Sequence, residues 1–343
     1  MKALIVDSIG HPPKLVVKEI PVPTAQSHDV LIKVMYAGLC GHDLAVMRGL
    51  IGGNLNPQLI LGHEISGQII AVGDEVSSLR IGDNVFSTLV TFCGQCEQCI
   101  NRNEYRCAAR KGIGHGIPGG FAEFVGLPEK SVLKIPGGID MKYACLLSCP
   151  IGVAMRASQW VSQVNRGDYV LVTGAGGGLG IHLSLVADFL GARVIASTSS
   201  PNKVPQLERL GISEVILDNK ELPLSELILA MTEDRGVDIA LDTLGSIAFK
   251  EVIRSTSFDG KVILLGEIQG SPININTTEL MFREARVFGL TGASIKHIKS
   301  AVDIMQSRKF APVISGVFRL EDAPEAYRLV QNKEILGRIV FTP

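Results

Sequence analysis

The chain has 343 residues, 46% of them hydrophobic, enough apolar content to bury two cores of ordinary domain size. Thirty-three basic residues stand against thirty-four acidic ones, a formal charge of −1 that excludes a general binder of nucleic-acid backbones. No run of about 18 apolar residues escapes a charge, so no membrane span is expected, and the apolar stretch in MKALIVDSIG is too short for an export signal.

A cytoplasmic protein is therefore expected. In a reducing compartment its seven cysteines, an odd number, should stay thiols or bind metal. Residues 1–150 read as short strands and turns: Val30, Ile32 and Val34 alternate with Leu31 and Lys33, and turn signals follow at Gly73-Asp74 and Gly82-Asp83. Two chemistry-bearing residues fall in this part, Cys40 in AGLCGHD and His63 in LGHEISG. Each has an ordinary reading alone, since lone cysteines are usually buried fillers and lone histidines usually surface or core residues.

The stretch CGQCEQCINRNEYRC is less ordinary. Cys93, Cys96, Cys99 and Cys107 are separated by two, two and seven residues, too close for a usual set of disulfides but suited to one tetrahedral ion. Four thiolates on zinc is the natural reading; a disulfide knot or an iron–sulfur site would need a context the rest of the chain does not supply. Arg102, Arg106, Arg110 and Lys111 surround the cluster and most simply offset the charge of a zinc–thiolate centre, with an anionic-substrate site as the weaker alternative.

Cys149, in LLSCPIG, completes a second set with Cys40 and His63. Two thiolates and one imidazole match an open catalytic zinc site, with the fourth position left to water or substrate. Pro150, directly after Cys149, is expected at the first position of a helix that leaves the cysteine just outside it.

From residue 151 the texture changes to six buried runs, YVLVTG, RVIAST, EVILD, VDIALDT, KVILLG and RVFGLT, with helical patterns between them. This predicts an α/β doubly wound parallel sheet, with Leu179, Leu183, Val186, Ala187 and Leu190 on one face of its first helix. Between the first run and that helix lies VTGAGGGLG, where Gly174, Gly176, Gly177, Gly178, Leu179 and Gly180 suit a dinucleotide pyrophosphate. The second run ends in Thr198, Ser199, Ser200 and Lys203 rather than an acidic residue, so hydroxyls and a cation favour NADP(H), with NAD(H) also possible. Residues 289–343 return to a mixed texture, with helices near 294–307 and 322 and a terminal strand in ILGRIVFTP, expected to fold back onto the first domain.

GLCGHD, GHE followed by ISGQIIAVGDEV, GDNV, the four-cysteine lobe, LSC and the glycine loop together resemble the zinc-dependent alcohol dehydrogenases of the medium-chain dehydrogenase/reductase superfamily, over the whole chain. The resemblance implies a mainly-β chaperonin-10-like (GroES-like) catalytic domain from residues 1–150 and 289–343, around a Rossmann domain at 151–288. It further implies two zinc ions per chain. Cys40, His63 and Cys149 would hold the catalytic one, with Glu64 as acidic neighbour, Asp43 as support, and Cys93, Cys96, Cys99 and Cys107 on the structural one. Cys145 matches no ligand position and is read as packing.

Two positions depart from the pattern. The family has serine or threonine two residues after the first cysteine, where this chain has His42; many relatives have a relay histidine where it has Ala45. An imidazole at position 42 could take an alcohol proton directly or merely shape the pocket. The expected activity is hydride transfer between NADP(H) and an alcohol, aldehyde or ketone, in a pocket near His42, Met47, Phe86 and the segment after Arg286, by a homodimer or homotetramer. The nucleotide half also resembles archaeal acryloyl-CoA reductases through GGGLGIHLSLVADFLGARVIAST and GLTGAS, which makes enoyl-CoA reduction the alternative. A non-catalytic nucleotide-binding member of the superfamily is a third reading, and the complete Cys–His–Cys set speaks against it.

Overall fold

The computed structural model describes residues 1–51, 59–267, 270–307 and 310–343. The chain divides into two compact units. Met1–Val153, Gly292–Glu334 and Arg338–Pro343 form the first, and Ala154–Thr291 with Ile335–Gly337 form the second. The short piece Ile335–Gly337, read from sequence as part of the first domain, groups with the second because its Gly337 N–H donates to the Gly176 carbonyl there, at 3.4 Å.

In the first unit, the long strand Asp29–Leu39 organises a seven-stranded sheet among the described residues. On one side it pairs antiparallel with Glu64–Val72; on the other, one end pairs with Phe124–Pro128 and the other end with the tail strand Arg338–Thr342. The alternation in DVLIKVMYAGL sends Ile32 and Val34 into a core with Ile69, Val85, Leu127 and Phe341, while Lys33 and Met35 face solvent. Phe121 packs edge-on against Phe341 at 5.0 Å, fastening the tail strand to the middle of the chain.

The second unit is a Rossmann-type sheet of six parallel strands. Tyr169–Val172, Arg193–Thr198, Glu214–Leu217, Val237–Asp242, Thr256–Leu264 and Arg286–Gly289 lie in the spatial order third, second, first, fourth, fifth, sixth. The order reverses beside the first strand, the position at which such sheets bind ligands. Helices Leu224–Met231 and Phe249–Ser255 cover one face through Ile228, Phe249, Val252 and Ile253 against Leu171, Ala240 and Val262. Helix Gly180–Phe189 is buried on more than the predicted face, because His182 and Ser184 are enclosed along with Leu183, Val186 and Ala187.

One local expectation fails. Cys149 and Pro150 both lie inside a widened π-helical turn, Leu147–Ile151, that runs on into Gly152–Met155; proline does not start the helix. Proline has no N–H to give the ordinary i→i−4 ladder, and the wider turn lets Ile151 N–H reach the Leu146 carbonyl at 3.2 Å instead. No helix among the described residues is long and apolar enough to cross a membrane.

Candidate functional site

Strand register brings the first cluster together. Gly38 pairs with Glu64 and Leu39 with Ile339, so the ends of three strands deliver Cys40, His63 with Glu64, and Arg338 to one place. Gly38 must be glycine here, since a Cβ would stand 2.1 Å from the Glu64 carboxylate. Cys149 enters from the π turn, which Ser148 anchors by donating its hydroxyl to the Ser87 carbonyl. Ligand atoms of Cys40, His63, Glu64 and Cys149 then lie within 4.8 Å of one another.

The spacing suits a zinc ion. Four ligands at zinc–sulfur bond length make a tetrahedron with edges of about 3.8 Å, and Cys40 Sγ lies 3.8 Å from Cys149 Sγ. The Cys149 thiol also holds Cys40 well below its ordinary pKa, toward the thiolate a metal requires. Both Glu64 carboxylate oxygens are buried without a hydrogen-bond partner, although Arg338 Nη2 makes a 2.8 Å ion-pair contact with one of them. Burial pushes Glu64 up to about 7 against the opposing pull of Arg338, and a bound cation in the cluster would further favour its charged form.

Asp43 works behind the ligands. Its carboxylate accepts from the Cys40 N–H at 2.9 Å and the Gly62 N–H at 3.3 Å, and sits 3.4 Å from His63 Nδ1. Holding Nδ1 in this way leaves Nε2 as the imidazole donor, the usual arrangement behind a metal-binding histidine. Burial opposes a charge on His63, but Asp43 and Cys40 outweigh it and raise its pKa well above the ordinary value. His42 is half-buried, with its ring 5.5 Å from that of His63 and 4.7 Å from that of His115.

The four-cysteine lobe forms a separate knot. Cys93 lies 3.9 Å from Cys99 and 3.6 Å from Cys107, and Cys96 lies 3.5 Å from Cys99, sulfur to sulfur. Backbone N–H groups of Gln95 and Cys96 bring Cys93 down to about 6, while burial takes Cys99 up to about 12. A zinc ion would convert all four to thiolates. Arg110 donates to the Cys107 carbonyl at 3.3 Å, whereas Arg102, Arg106 and Lys111 face solvent. Lys130, which sequence reasoning passed over, donates to the Cys93 carbonyl at 3.2 Å.

In the second unit, Gly174 turns the chain out of the first strand in the left-handed region, at φ 61°, and Gly177 N–H closes the loop on the Gly174 carbonyl at 2.9 Å. Gly176, Gly178, Leu179 and Gly180 follow into helix Gly180–Phe189, whose N-terminal amides are the anion-facing end of the unit. Thr198 and Lys203 are both nearly buried, and Lys203 Nζ donates to the Gly176 carbonyl at 3.1 Å. Lys203 is thus no solvated helix-start residue; it ties the end of the second strand to the glycine loop. Thr198 Oγ1 accepts from the Ser200 N–H at 3.3 Å, with Ser199 between them.

Sequence reasoning missed His115, Arg338 and Asp242. Arg338 carried a faint signal, as a charged residue opening the apolar strand RIVFT. Asp242 ends the fourth strand, where its carboxylate accepts from Thr173 Oγ1 at 2.5 Å and the Leu244 and Gly245 N–H groups at 3.0 and 3.1 Å, bracing the turn beside Gly174. Met47 and Phe86, named as pocket walls, are fully buried core residues of the first unit, as is Cys145, which was read as packing.

Residues 26–137 match the alcohol dehydrogenase GroES-like domain, and residues 178–307 match the zinc-binding dehydrogenase domain. An acryloyl-coenzyme A reductase of Sulfurisphaera tokodaii is 31% identical over the whole of both chains. A sorbitol dehydrogenase of Halalkalibacterium halodurans is 29% identical over all of this chain and 99% of its own. The solved structure of an NAD-dependent alcohol dehydrogenase superposes with a TM-score of 0.90 at 27% identity, covering both chains fully. With two domain matches in order and a full-length relative at this identity, the chain belongs to the medium-chain dehydrogenase/reductase family of oxidoreductases.

Proposed function

We propose that this protein is a zinc-dependent oxidoreductase that transfers hydride between NADP(H) and the carbonyl carbon of an aldehyde or ketone. The observation that carries the reading is the converging set of Cys40, His63 and Cys149, with its tetrahedral sulfur spacing and the buried Glu64 carboxylate alongside. When bound there, zinc supplies a Lewis acid for the carbonyl or alcohol oxygen. Asp43 fixes the His63 ring, and Arg338 balances the charge of Glu64 so that the acid can stay buried beside two thiolates. Cys93, Cys96, Cys99 and Cys107 hold the second zinc and brace their lobe.

The glycine loop and its helix bind the pyrophosphate, while Thr198, Ser199 and Lys203 receive the ribose 2′-phosphate. NAD(H) remains the second-best cofactor on this reading. The edge strand Arg286–Gly289 exposes Val287 and Phe288 beside Met281 and Phe282, an apolar face that a second copy would cover in a homodimer or homotetramer. A cytoplasmic location fits the reduced thiols this chemistry needs.

Identity to the acryloyl-coenzyme A reductase favours a second reading, reduction of an enoyl thioester. Metal analysis with Cys40→Ser tests the first. The wild type should carry two zinc ions per chain; the variant should lose one of them and about a thousandfold in carbonyl reduction. Retention of both the metal and the rate would remove Cys40 from the mechanism.

A further inference from the structure

His115 stands beside the ligand set for a reason written in its own loop. Residues Gly112 to Ile117 form a tight turn in which the Gly116 and Ile117 N–H groups share the Gly112 carbonyl at 2.7 and 3.1 Å. This turn folds the His115 ring back over Gly112 so closely that a Cβ at that position would lie 1.9 Å from two ring atoms. The ring is thereby delivered to His42, at 4.7 Å between centroids, and His42 in turn meets the edge of His63. Moving outward from the buried His63, the side chains pass to half-buried His42 and then to exposed His115.

A half-buried imidazole at His42 is costly unless something hydrogen-bonds to it. Aliphatic residues would wall an alcohol pocket equally well, and a polar wall penalises any substrate that leaves it unpaired. His42 meets two rings, and one of its ring nitrogens lies within 4.8 Å of an Asp43 carboxylate oxygen and a His63 ring nitrogen. Partial burial together with neighbouring His42 lowers the His115 pKa from its ordinary value. A neutral imidazole carries one N–H donor and one acceptor nitrogen. Such a ring beside the ligand set can pair with a substrate hydroxyl.

We propose that His42 and His115 together form a hydrogen-bonding wall that selects substrates bearing a second hydroxyl next to the reacting carbon, in preference to simple alkyl carbonyls and alcohols. This rests on the carbonyl-reduction reading above and names the substrate class for it. Gly112 and the turn behind it are the positioning device, and His115 is the specificity-determining residue.

The test uses the zinc-loaded enzyme with NADPH and a matched pair, hydroxyacetone against acetone. Wild type should favour hydroxyacetone by about tenfold in kcat/KM, the worth of one good hydrogen bond, and the preference should lie in KM. His115→Phe and Gly112→Ala should each collapse the ratio toward one, while His115→Gln, which keeps a hydrogen-bonding end, should restore part of it. Equal kcat/KM for the two ketones in wild type, or a loss shared equally by both in the variants, would overturn the proposal. Ligand-observed NMR titration with propylene glycol and isopropanol separates the two readings. Tighter glycol binding that His115→Phe abolishes, without turnover of either ketone, would refute carbonyl reduction and leave the wall standing. Ketone turnover with no glycol preference would refute the wall and leave carbonyl reduction standing.

Discussion

Replacing Lys203 separates the contact it makes from the one proposed for it. Its ammonium braces the glycine loop through the Gly176 carbonyl at 3.1 Å, and it follows the end of the second strand, five residues after Thr198. The brace is a hydrogen bond from an ammonium to a backbone carbonyl, worth about 1.5–3 kcal/mol, and its loss should weaken NADH and NADPH alike by about ten- to a hundredfold. The charge-assisted bond to a 2′-phosphate would be worth about 1.5–3 kcal/mol, which adds about ten- to a hundredfold for NADPH alone. Lys203→Ala should lose both contributions, and Lys203→Gln, which can still donate to Gly176, should lose chiefly the second. The assay is kcat/KM for both cofactors at saturating carbonyl substrate, backed by dissociation constants from cofactor fluorescence. Equal weakening of NADPH and NADH in both variants, or a wild type that prefers NADH, would refute the assignment of the 2′-phosphate to this lysine.

Other outcomes follow from the same geometry. Arg338→Leu leaves the Glu64 carboxylate buried without its ion-pair partner and should cost the metal-free protein about 3–5 kcal/mol in denaturant unfolding, with most of it recovered by Glu64→Gln in the same chain; a loss below about 1 kcal/mol would contradict the pairing argument. Cys107→Ser should remove one zinc by metal analysis and lower the thermal midpoint while the other zinc stays; loss of both metals together would show that the two centres are not independent. If the proposed oligomer forms through the exposed edge strand, Phe288→Glu should yield a monomer in light scattering, and an unchanged mass would place the interface elsewhere.

The sequence reveals what depends on local spacing and hides what depends on register. Four cysteines within one short lobe announce their knot, and six apolar runs separated by helical patterns give the parallel sheet, because both follow from neighbours in the chain. Cys40, His63 and Cys149 were legible as a ligand set by residue type, but no local spacing signals their meeting, since 109 residues separate the two cysteines whose sulfurs meet. Arg338 reaches Glu64 through the pairing of the last strand with Asp29–Leu39, a contact that no window along the chain contains. His115 drew no reading from its glycine-rich loop; its meaning comes from the missing side chain at Gly112 and a turn that only the folded backbone displays. Pro150 misled for the opposite reason, because the rule for proline at helix starts is sound and the chain met the constraint by widening the turn.

The measurement that bears most directly on the central claim is NADPH oxidation with a panel of aldehydes and ketones beside an enoyl-CoA thioester, before and after zinc chelation. The account predicts carbonyl reduction that chelation abolishes and added zinc restores. Enoyl thioester reduction that continues unchanged after chelation would contradict it.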